Sequence, residues 1–283
     1  MSVDVEEYFM VEAFADSVTR DSWPAWPSRI VSSTQRILDL FEQYGVKATF
    51  FLVGWIAEKY PQLAVDISAR GHELACHSFW HRTVYSLSPQ EFREDTLRAL
   101  QAIQVATGVK VRGYRAPSWS ITTECLWALD VLAELGFTYD SSIFPIYHDL
   151  YGIAGASRFA HTVQCGNSLS IREYPPATVQ AWGQNLPGAG GGYLRILPMA
   201  YTRWVFRNFE QRYREPVVVY LHPWEIDPEQ PRIGGSLRSK ARHYTNLGRM
   251  ERRLEDLLKS YRFVAFEDLL RKSPVSCNDA VHV

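Results

Sequence analysis

The 283-residue sequence lacks a long apolar run and lacks an excess of charge of either sign. No stretch approaches the roughly 20 apolar residues that a bilayer-spanning helix needs, so we expect no transmembrane segment. The formal net charge is −1, from 30 Lys and Arg against 31 Asp and Glu. A balance of this kind does not point to nucleic acid or to an anionic membrane as a partner.

Cysteine is scarce, and the start of the chain lacks a targeting pattern. The four cysteines, Cys76, Cys125, Cys165 and Cys277, show no Cys-x-x-Cys spacing. They therefore predict neither a disulfide framework nor a thiolate zinc site. The first residues lack the basic, apolar and small-residue order of a signal peptide. Both absences favour a cytoplasmic bacterial protein; the alternative is that an export segment was removed.

Short apolar runs alternate with amphipathic stretches along the chain, without internal repeats or low-complexity linkers. The predicted strands are residues 3–5, 48–53, 73–76, 109–114, 137–140, 217–221 and 262–265. Ser88-Pro89-Gln90-Glu91 is typical of a helix start with a capping box. Strands that alternate with helices predict a parallel sheet, and at this length a closed or nearly closed α/β barrel. We expect one domain over residues 1–283. An elaborated loop region at about residues 144–195, rich in Pro and Gly and containing short strands, should lie over one end of the barrel.

Active sites of such folds lie at the C-terminal ends of the strands, and chemically capable residues follow two predicted strands there. His77 and His81 come after strand 73–76 at a spacing that lets both face one metal ion from a single helical turn. Asp4, Glu6 and Glu7 lie at the end of the first strand, and carboxylates this close repel unless they are solvated or bind a cation. Two histidines and one carboxylate leave metal positions open for water and substrate, as hydrolysis requires.

Three further strand ends carry polar side chains. Arg115 can hold a catalytic carboxylate in its ionised form, or it forms a structural ion pair. His222 directly follows a buried strand, and histidine suits general acid catalysis at neutral pH; the alternative is a satisfied buried histidine. Asp140 either orients His222 or caps a turn.

These segments, in this order, resemble the NodB-homology polysaccharide deacetylases (carbohydrate esterase family 4). They read Ser-Val-Asp-Val-Glu-Glu, His-Ser-Phe-Trp-His, Arg-Ala-Pro, Tyr-Asp-Ser-Ser and Tyr-Leu-His-Pro, and the resemblance covers roughly residues 3–270. It implies a distorted (β/α)7 barrel and metal-dependent removal of N-acetyl groups from a polysaccharide or oligosaccharide. The segments Arg-Gly-Tyr-Arg-Ala-Pro-Ser, Tyr-Asp-Ser-Ser-Ile-Phe-Pro and Leu-His-Pro-Trp-Glu-Ile-Asp look closest to the deacetylases of exosortase (PEP-CTERM) loci, which implies an exopolysaccharide substrate.

The acidic motif departs from the family pattern, because the usual Asp-Asp is replaced by Asp4-Val5-Glu6-Glu7. In family members with an Asp-x-Asp pattern, the first acid is the base and the second binds the metal. The resemblance therefore implies Asp4 as base and Glu6 as metal ligand together with His77 and His81. Residues i and i+2 share a face at an extended strand end, which supports Glu6, and Glu7 stays an alternative.

The resemblance also implies how the remaining residues act. Asp4, kept ionised by Arg115, takes a proton from water, and His222, oriented by Asp140, protonates the departing amine. Imidazole and carboxylate ligands suit Zn²⁺ first, with Fe, Co, Ni or Mn as alternatives.

Three aromatic residues, Trp119, Tyr193 and Trp224, are candidates for stacking on sugar rings, against the alternative of plain packing. Two other functions remain open at this point. One is an allantoinase-like hydrolase of cyclic amides on the same barrel, and the other is a carbohydrate-binding relative that has lost catalysis. The sequence does not predict the oligomeric state.

Overall fold

A computed structural model describes residues 1–272 and the backbone of a short strand at Ala280–Val281. The strands are β1 Ser2–Val5, β2 Thr49–Leu52, β3 Glu73–Cys76, β4 Gly113–Tyr114, β5 Tyr139–Asp140, β6 His161–Gln164, β7 Ser170–Glu173, β8 Thr178–Ala181, β9 Gln184–Pro187, β10 Tyr220–Leu221 and β11 Ala280–Val281. The helices are α1 Ile30–Gln43, α2 Gly54–Lys59, α3 Pro61–Ala69, α4 Pro89–Thr107, α5 Trp127–Glu134, α6 Gly191–Ile196, α7 Met199–Arg207, α8 Leu237–Tyr244, α9 Leu247–Ser260 and α10 Phe266–Lys272. Cys76, Cys125 and Cys165 are free thiols, and Cys277 lies outside the described residues. Within those residues, no helix has the length and apolar character to cross a membrane.

The main sheet has nine strands in the order β10-β1-β2-β3-β4-β5-β7-β6-β11. Every neighbouring pair from β10 to β7 is parallel, so seven strands run in one direction. The sheet curls into a half-barrel. The amide of Ala177, beyond β7, donates to the carbonyl of Val218, before β10, at 3.4 Å, where the two ends of the parallel run approach. The predicted distorted (β/α)7 barrel is confirmed.

One predicted strand is wrong, and one strand of the barrel comes from the region that was predicted as a loop with short strands. Residues 262–265 follow α9 without forming a strand, although the carbonyl of Val264 accepts a hydrogen bond from the Met1 amine at 3.1 Å. The seventh parallel strand is instead β7, from the region predicted as an elaborated loop. Its side chains alternate between half-buried and buried, but the prolines and glycines around it favoured a loop prediction. β6 pairs antiparallel with β7, and β8 and β9 form a separate hairpin.

The N-terminal end of the half-barrel is filled by side chains and closed by α10. A small buried cluster consists of Phe51, Ala75, Tyr139, Tyr174, Val218 and Phe266. The amide of Phe266, at the start of α10, donates to the hydroxyl of Thr49 in β2 at 2.8 Å. Because packing occupies this end, the polar residues at the C-terminal strand ends are the ones left for chemistry.

Candidate active site

Glu6, His77 and His81 converge beyond the C-terminal ends of β1 and β3. One oxygen or nitrogen atom of each lies within 4.8 Å of those of the other two. Glu6 Oε2 is 2.5 Å from His81 Nε2 and 3.8 Å from His77 Nε2. All three side chains are buried. The fold thus brings together an acid and two imidazoles that lie some seventy positions apart in the chain.

This cluster fits a divalent cation. His81 Nδ1 is buried and has no hydrogen-bond partner among the described residues, while His81 Nε2 faces the Glu6 carboxylate. His77 Nδ1 lies 2.7 Å from the carbonyl oxygen of Arg115. A carbonyl only accepts, so Nδ1 carries a proton, and Nε2 is the nitrogen that faces Glu6. Burial alone would raise the pKa of Glu6, but the nearby imidazoles of His81 and His222 hold it well below its usual range, so Glu6 is an anion. A carboxylate and two imidazoles are ligands typical of zinc and neighbouring metals.

The segment that carries the two histidines, residues 77–81, is a loop and not the predicted helical turn. Ser78 and His81 have positive φ angles of 59° and 50°. Two groups hold this histidine loop in place. The Asp95 carboxylate of α4 accepts from the amides of Phe79, at 2.6 Å, and Trp80, at 3.2 Å. The Ser78 hydroxyl accepts from the amide of His81 at 2.9 Å. These contacts offset the backbone strain at the two positive-φ residues.

Asp4 is held beside the cluster by a buried guanidinium. Arg115 Nη1 donates to Asp4 Oδ1 at 2.6 Å and to the Ser2 hydroxyl at 2.8 Å. Arg115 Nε and Nη2 donate to the carbonyl and hydroxyl oxygens of Ser141 at 3.1 and 2.9 Å. Neither Arg115 nor Asp4 is appreciably exposed. Asp4 Oδ2 is left facing His222 Nε2 at 3.8 Å.

His222 follows β10 and faces both acids of the first strand. Its Nε2 is 3.8 Å from Asp4 and 3.7 Å from Glu6, and its Nδ1 is 3.1 Å from Glu225 Oε2. Burial alone would lower the pKa of His222, but the carboxylates of Glu6, Glu225 and Asp4 together raise it to about 9. The imidazole is therefore protonated at neutral pH and can donate a proton.

The prediction that Asp140 orients His222 is wrong. Asp140 Oδ1 accepts from the Ser142 hydroxyl at 2.6 Å, and Oδ2 accepts from the Ser142 amide at 3.0 Å. Asp140 caps a turn, which was the alternative interpretation, and Glu225 contacts His222 instead. Sequence reasoning missed Glu225, although it follows His222 by three residues, at the spacing of a capping box.

Glu6 and Glu7 point in different directions, and Glu7 is not at the cluster. The Glu7 carboxylate accepts from the amides of Arg29, at 3.1 Å, and Ile30, at 3.4 Å, and from the hydroxyl of Ser28. It therefore caps the start of α1, where the unpaired amides favour a negative group. The alternative prediction, in which Glu7 binds the metal in place of Glu6, is therefore wrong.

Trp224 is a support for the cluster and not an exposed sugar platform. Its indole Nε1 donates to Glu6 Oε1 at 3.0 Å. The ring stacks on the imidazoles of His222, at 5.1 Å, and His243, at 4.2 Å between centroids. Only 6% of its surface is exposed. The indole fixes one oxygen of Glu6 and leaves the other toward the two histidines.

Of the other two aromatic candidates, only Tyr193 is open to a ligand. Trp119 is buried and packs edge-on against Tyr220 at 4.7 Å, so its predicted stacking on a sugar is corrected to packing. Tyr193 is half-buried, and its hydroxyl lies 3.3 Å from that of Tyr151.

The fold is an α/β half-barrel, and its candidate site consists of two histidines and a carboxylate that could hold a metal ion. Residues 17–139 match the family of polysaccharide deacetylases, and residues 141–271 match a domain of unknown function (DUF3473). A chitooligosaccharide deacetylase of Bradyrhizobium sp. is 35% identical over 101 residues, which is 35% of this chain and 43% of that protein. A peptidoglycan-N-acetylglucosamine deacetylase of Bacillus cereus is 32% identical over 98 residues, 34% of this chain and 36% of that protein. The chain thus spans less than half of the length of these curated relatives.

A solved structure of a Mycobacterium smegmatis protein, provisionally described as a polysaccharide deacetylase, is similar over 96% of this chain and 88% of its own. Its TM-score is 0.61 at 20% identity, a likeness that shows the fold alone. The match to the polysaccharide deacetylase family thus covers residues 17–139, less than half of the chain, while the structural likeness extends over nearly the whole fold.

Proposed function

We propose that the protein is a metal-dependent N-deacetylase that hydrolyses the acetamide groups of N-acetylhexosamine residues in a polysaccharide. The observation that carries this proposal is the placement of Asp4 and His222, 3.8 Å apart, next to the cluster of Glu6, His77 and His81, with His222 Nε2 3.7 Å from Glu6. Glu6, His77 and His81 would hold a divalent cation, Zn²⁺ first among the alternatives, which would supply Lewis acidity toward an amide carbonyl and toward water.

Asp4 is the proton acceptor in this proposal. Oδ1 is occupied by Arg115 at 2.6 Å, so Oδ2 is the atom that receives the proton from water. Arg115 is fixed by four hydrogen bonds to three residues, which keeps Asp4 in one orientation through the reaction.

His222 is the proton donor. Amine departure from a tetrahedral intermediate requires protonation of the nitrogen, and His222 directs its Nε2 toward Asp4 and Glu6, where that proton is needed. The products are acetate and a free amino sugar. Asp4 and His222 thus provide separate base and acid groups, as general acid–base catalysis requires.

The polymer proposed is an exopolysaccharide, from the segments that resemble the exosortase-associated deacetylases. The matched relatives are described as acting on chitooligosaccharides and on peptidoglycan, so both belong in the substrate panel. Tyr193 is the remaining candidate for contact with a sugar ring.

The test combines metal analysis with acetate release. Purified protein is expected to contain about one divalent metal per chain and to release acetate from N-acetylglucosamine oligomers, peptidoglycan fragments or an N-acetylated exopolysaccharide. Asp4→Asn is expected to retain the metal and lose at least about 100-fold in rate, the contribution typical of a general base, whereas His77→Ala loses the metal.

Two outcomes would replace the proposal. Ring opening of allantoin without acetate release would establish the cyclic-amide hydrolase. Tight oligosaccharide binding by metal-loaded protein without any acetate release would establish a binding protein.

A further inference from the structure

We infer that Glu225, held in place by Arg195, is a positioning residue that orients His222 through its Nδ1 atom. This inference rests on the proposed function. It assigns to Glu225 the role that the family resemblance implied for Asp140, which is to orient His222.

Both carboxylate oxygens of Glu225 are engaged. Oε2 lies 3.1 Å from His222 Nδ1 and accepts from the His222 amide at 3.1 Å. Oε1 accepts from Arg195 Nε at 3.0 Å. The first contact determines the rotation of the imidazole, because it directs Nδ1 away from the site and Nε2 toward Asp4 and Glu6. The amide contact determines where the ring stands relative to the end of β10.

Arg195 is itself fixed at every nitrogen. Besides Glu225, its Nη1 and Nη2 donate to the carbonyls of Thr245, at 2.5 Å, and Arg242, at 2.9 Å. These carbonyls lie at the C-terminal end of α8, where a helix has unpaired acceptors. Arg195 is 1% exposed and Glu225 is 0% exposed. A planar guanidinium with all three nitrogens bonded leaves Glu225 a single position.

The Gly-rich run at the start of α6 makes the contact between Arg195 and Glu225 sterically possible. Gly190 and Gly191 have φ angles of 148° and 48°. A Cβ atom added to Gly190 would lie 2.2 Å from the ring of Tyr220, and one added to Gly191 would lie 2.6 Å from it. The two glycines therefore let α6 approach β10 closely, and Arg195, within α6, reaches Glu225 just beyond that strand.

His222, Glu225 and Arg195 all belong to residues 141–271, which match the domain of unknown function. His77 and His81 belong to the part that matches the deacetylase family. The geometry thus gives the second region a defined contribution: it supplies the proton donor and the charged pair that holds the donor.

Glu225→Gln tests the assignment, because it preserves size and an acceptor oxygen but removes the charge. We expect kcat to fall at least about tenfold, part of the contribution of a general acid, while KM and the bound zinc per chain stay unchanged. Glu91→Gln is the matched control, since Glu91, like Glu225, occupies the N3 position of a capping box, but at the exposed start of α4. It should retain the wild-type kcat.

A second readout does not depend on activity. In ¹⁵N-labelled protein, the Nδ1 signal of His222 should shift in Glu225→Gln and stay at its wild-type position in Asp140→Asn and Glu91→Gln. If Glu225→Gln does not fold because Arg195 is left unpaired, the double variant Glu225→Gln/Arg195→Met removes both charges, and the same shifts and the same fall in kcat are expected of it.

A wild-type kcat in folded Glu225→Gln, or in the double variant, overturns the inference. So does an Nδ1 signal that responds to Asp140→Asn instead. If the wild-type protein releases no acetate from any glycan, the proposed function fails, and the Nδ1 signal alone decides whether Glu225 holds the imidazole.

Discussion

Replacing Trp224 by Phe tests how the cluster of Glu6, His77 and His81, the proposed metal site, is held in place. The indole Nε1 donates to Glu6 Oε1 at 3.0 Å, and both side chains are buried. Phe keeps an aromatic ring beside His222 and His243 but cannot donate. Glu6 then loses the contact that directs its other oxygen, Oε2, toward the histidines.

The expected loss follows from the strength of this hydrogen bond. A hydrogen bond to a charged group contributes about 1.5–3 kcal/mol, and about 1.4 kcal/mol corresponds to a tenfold change in affinity. Groups that orient metal ligands typically account for about 10- to 100-fold in metal affinity. We therefore expect Trp224→Phe to weaken Zn²⁺ binding by about 10- to 100-fold.

The assay is a competition titration of Zn²⁺ between metal-free protein and a chromophoric chelator. Trp127→Phe is the control, because Trp127 lies in α5, is half-buried and packs edge-on against Phe92, at 5.7 Å between ring centroids. Equal zinc affinities for the wild type and both variants would refute the argument. Thermal unfolding in the presence of a chelator shows whether either substitution alters the metal-free fold.

Three further substitutions probe separate parts of the site and the core. Glu7→Ala should lower the free energy of unfolding by about 1–2 kcal/mol through loss of the α1 cap, with zinc affinity unchanged; denaturant titration and the same zinc competition measure both, and lost zinc binding would return Glu7 to the ligand set. Asp95→Ala leaves the buried amide of Phe79 and the half-buried amide of Trp80 without their acceptor. Stability should therefore fall by about 1–3 kcal/mol, and zinc affinity should fall with it; unchanged zinc binding would show that the loop keeps its shape unaided. Burial, aided by Lys47 and Arg70, lowers the pKa of His72 from 6.5 to about 4, so the unfolded chain takes up a proton before the folded protein does. The contribution of His72 to the free energy of unfolding is therefore fully present above pH 6.5, and up to about 3 kcal/mol of it is lost as the pH falls toward 4. His72→Gln should flatten this decline in denaturant titrations across that range.

Much of the site could be located from local patterns. Polar residues directly after buried apolar runs lie at strand ends, and parallel strands bring those ends to one edge. This reasoning indicated Asp4, Glu6, His77, His81 and His222, and the structure brings their side chains together. It could not anticipate β7, because a strand inside a Pro- and Gly-rich region resembles a loop in its local composition.

The contacts of each side chain required the tertiary structure. Asp140 and Glu225 are both acids near strand ends, and only the packing of α6 and α8 around Arg195 shows which of them reaches His222. Likewise, the sequence made Trp119 and Trp224 candidates for stacking on sugar rings, and only the structure shows that both side chains are buried.

Periodicity and residue type alone indicated six of the seven parallel strands. They also indicated the positions of the strand-end acids and histidines and the kind of chemistry that these residues allow. The choice of Glu6 over Glu7, the loop that carries the histidines and the pairing of His222 with Glu225 depend on side-chain direction and on contacts between residues far apart in the chain. Such contacts are decided by packing, which no local pattern contains.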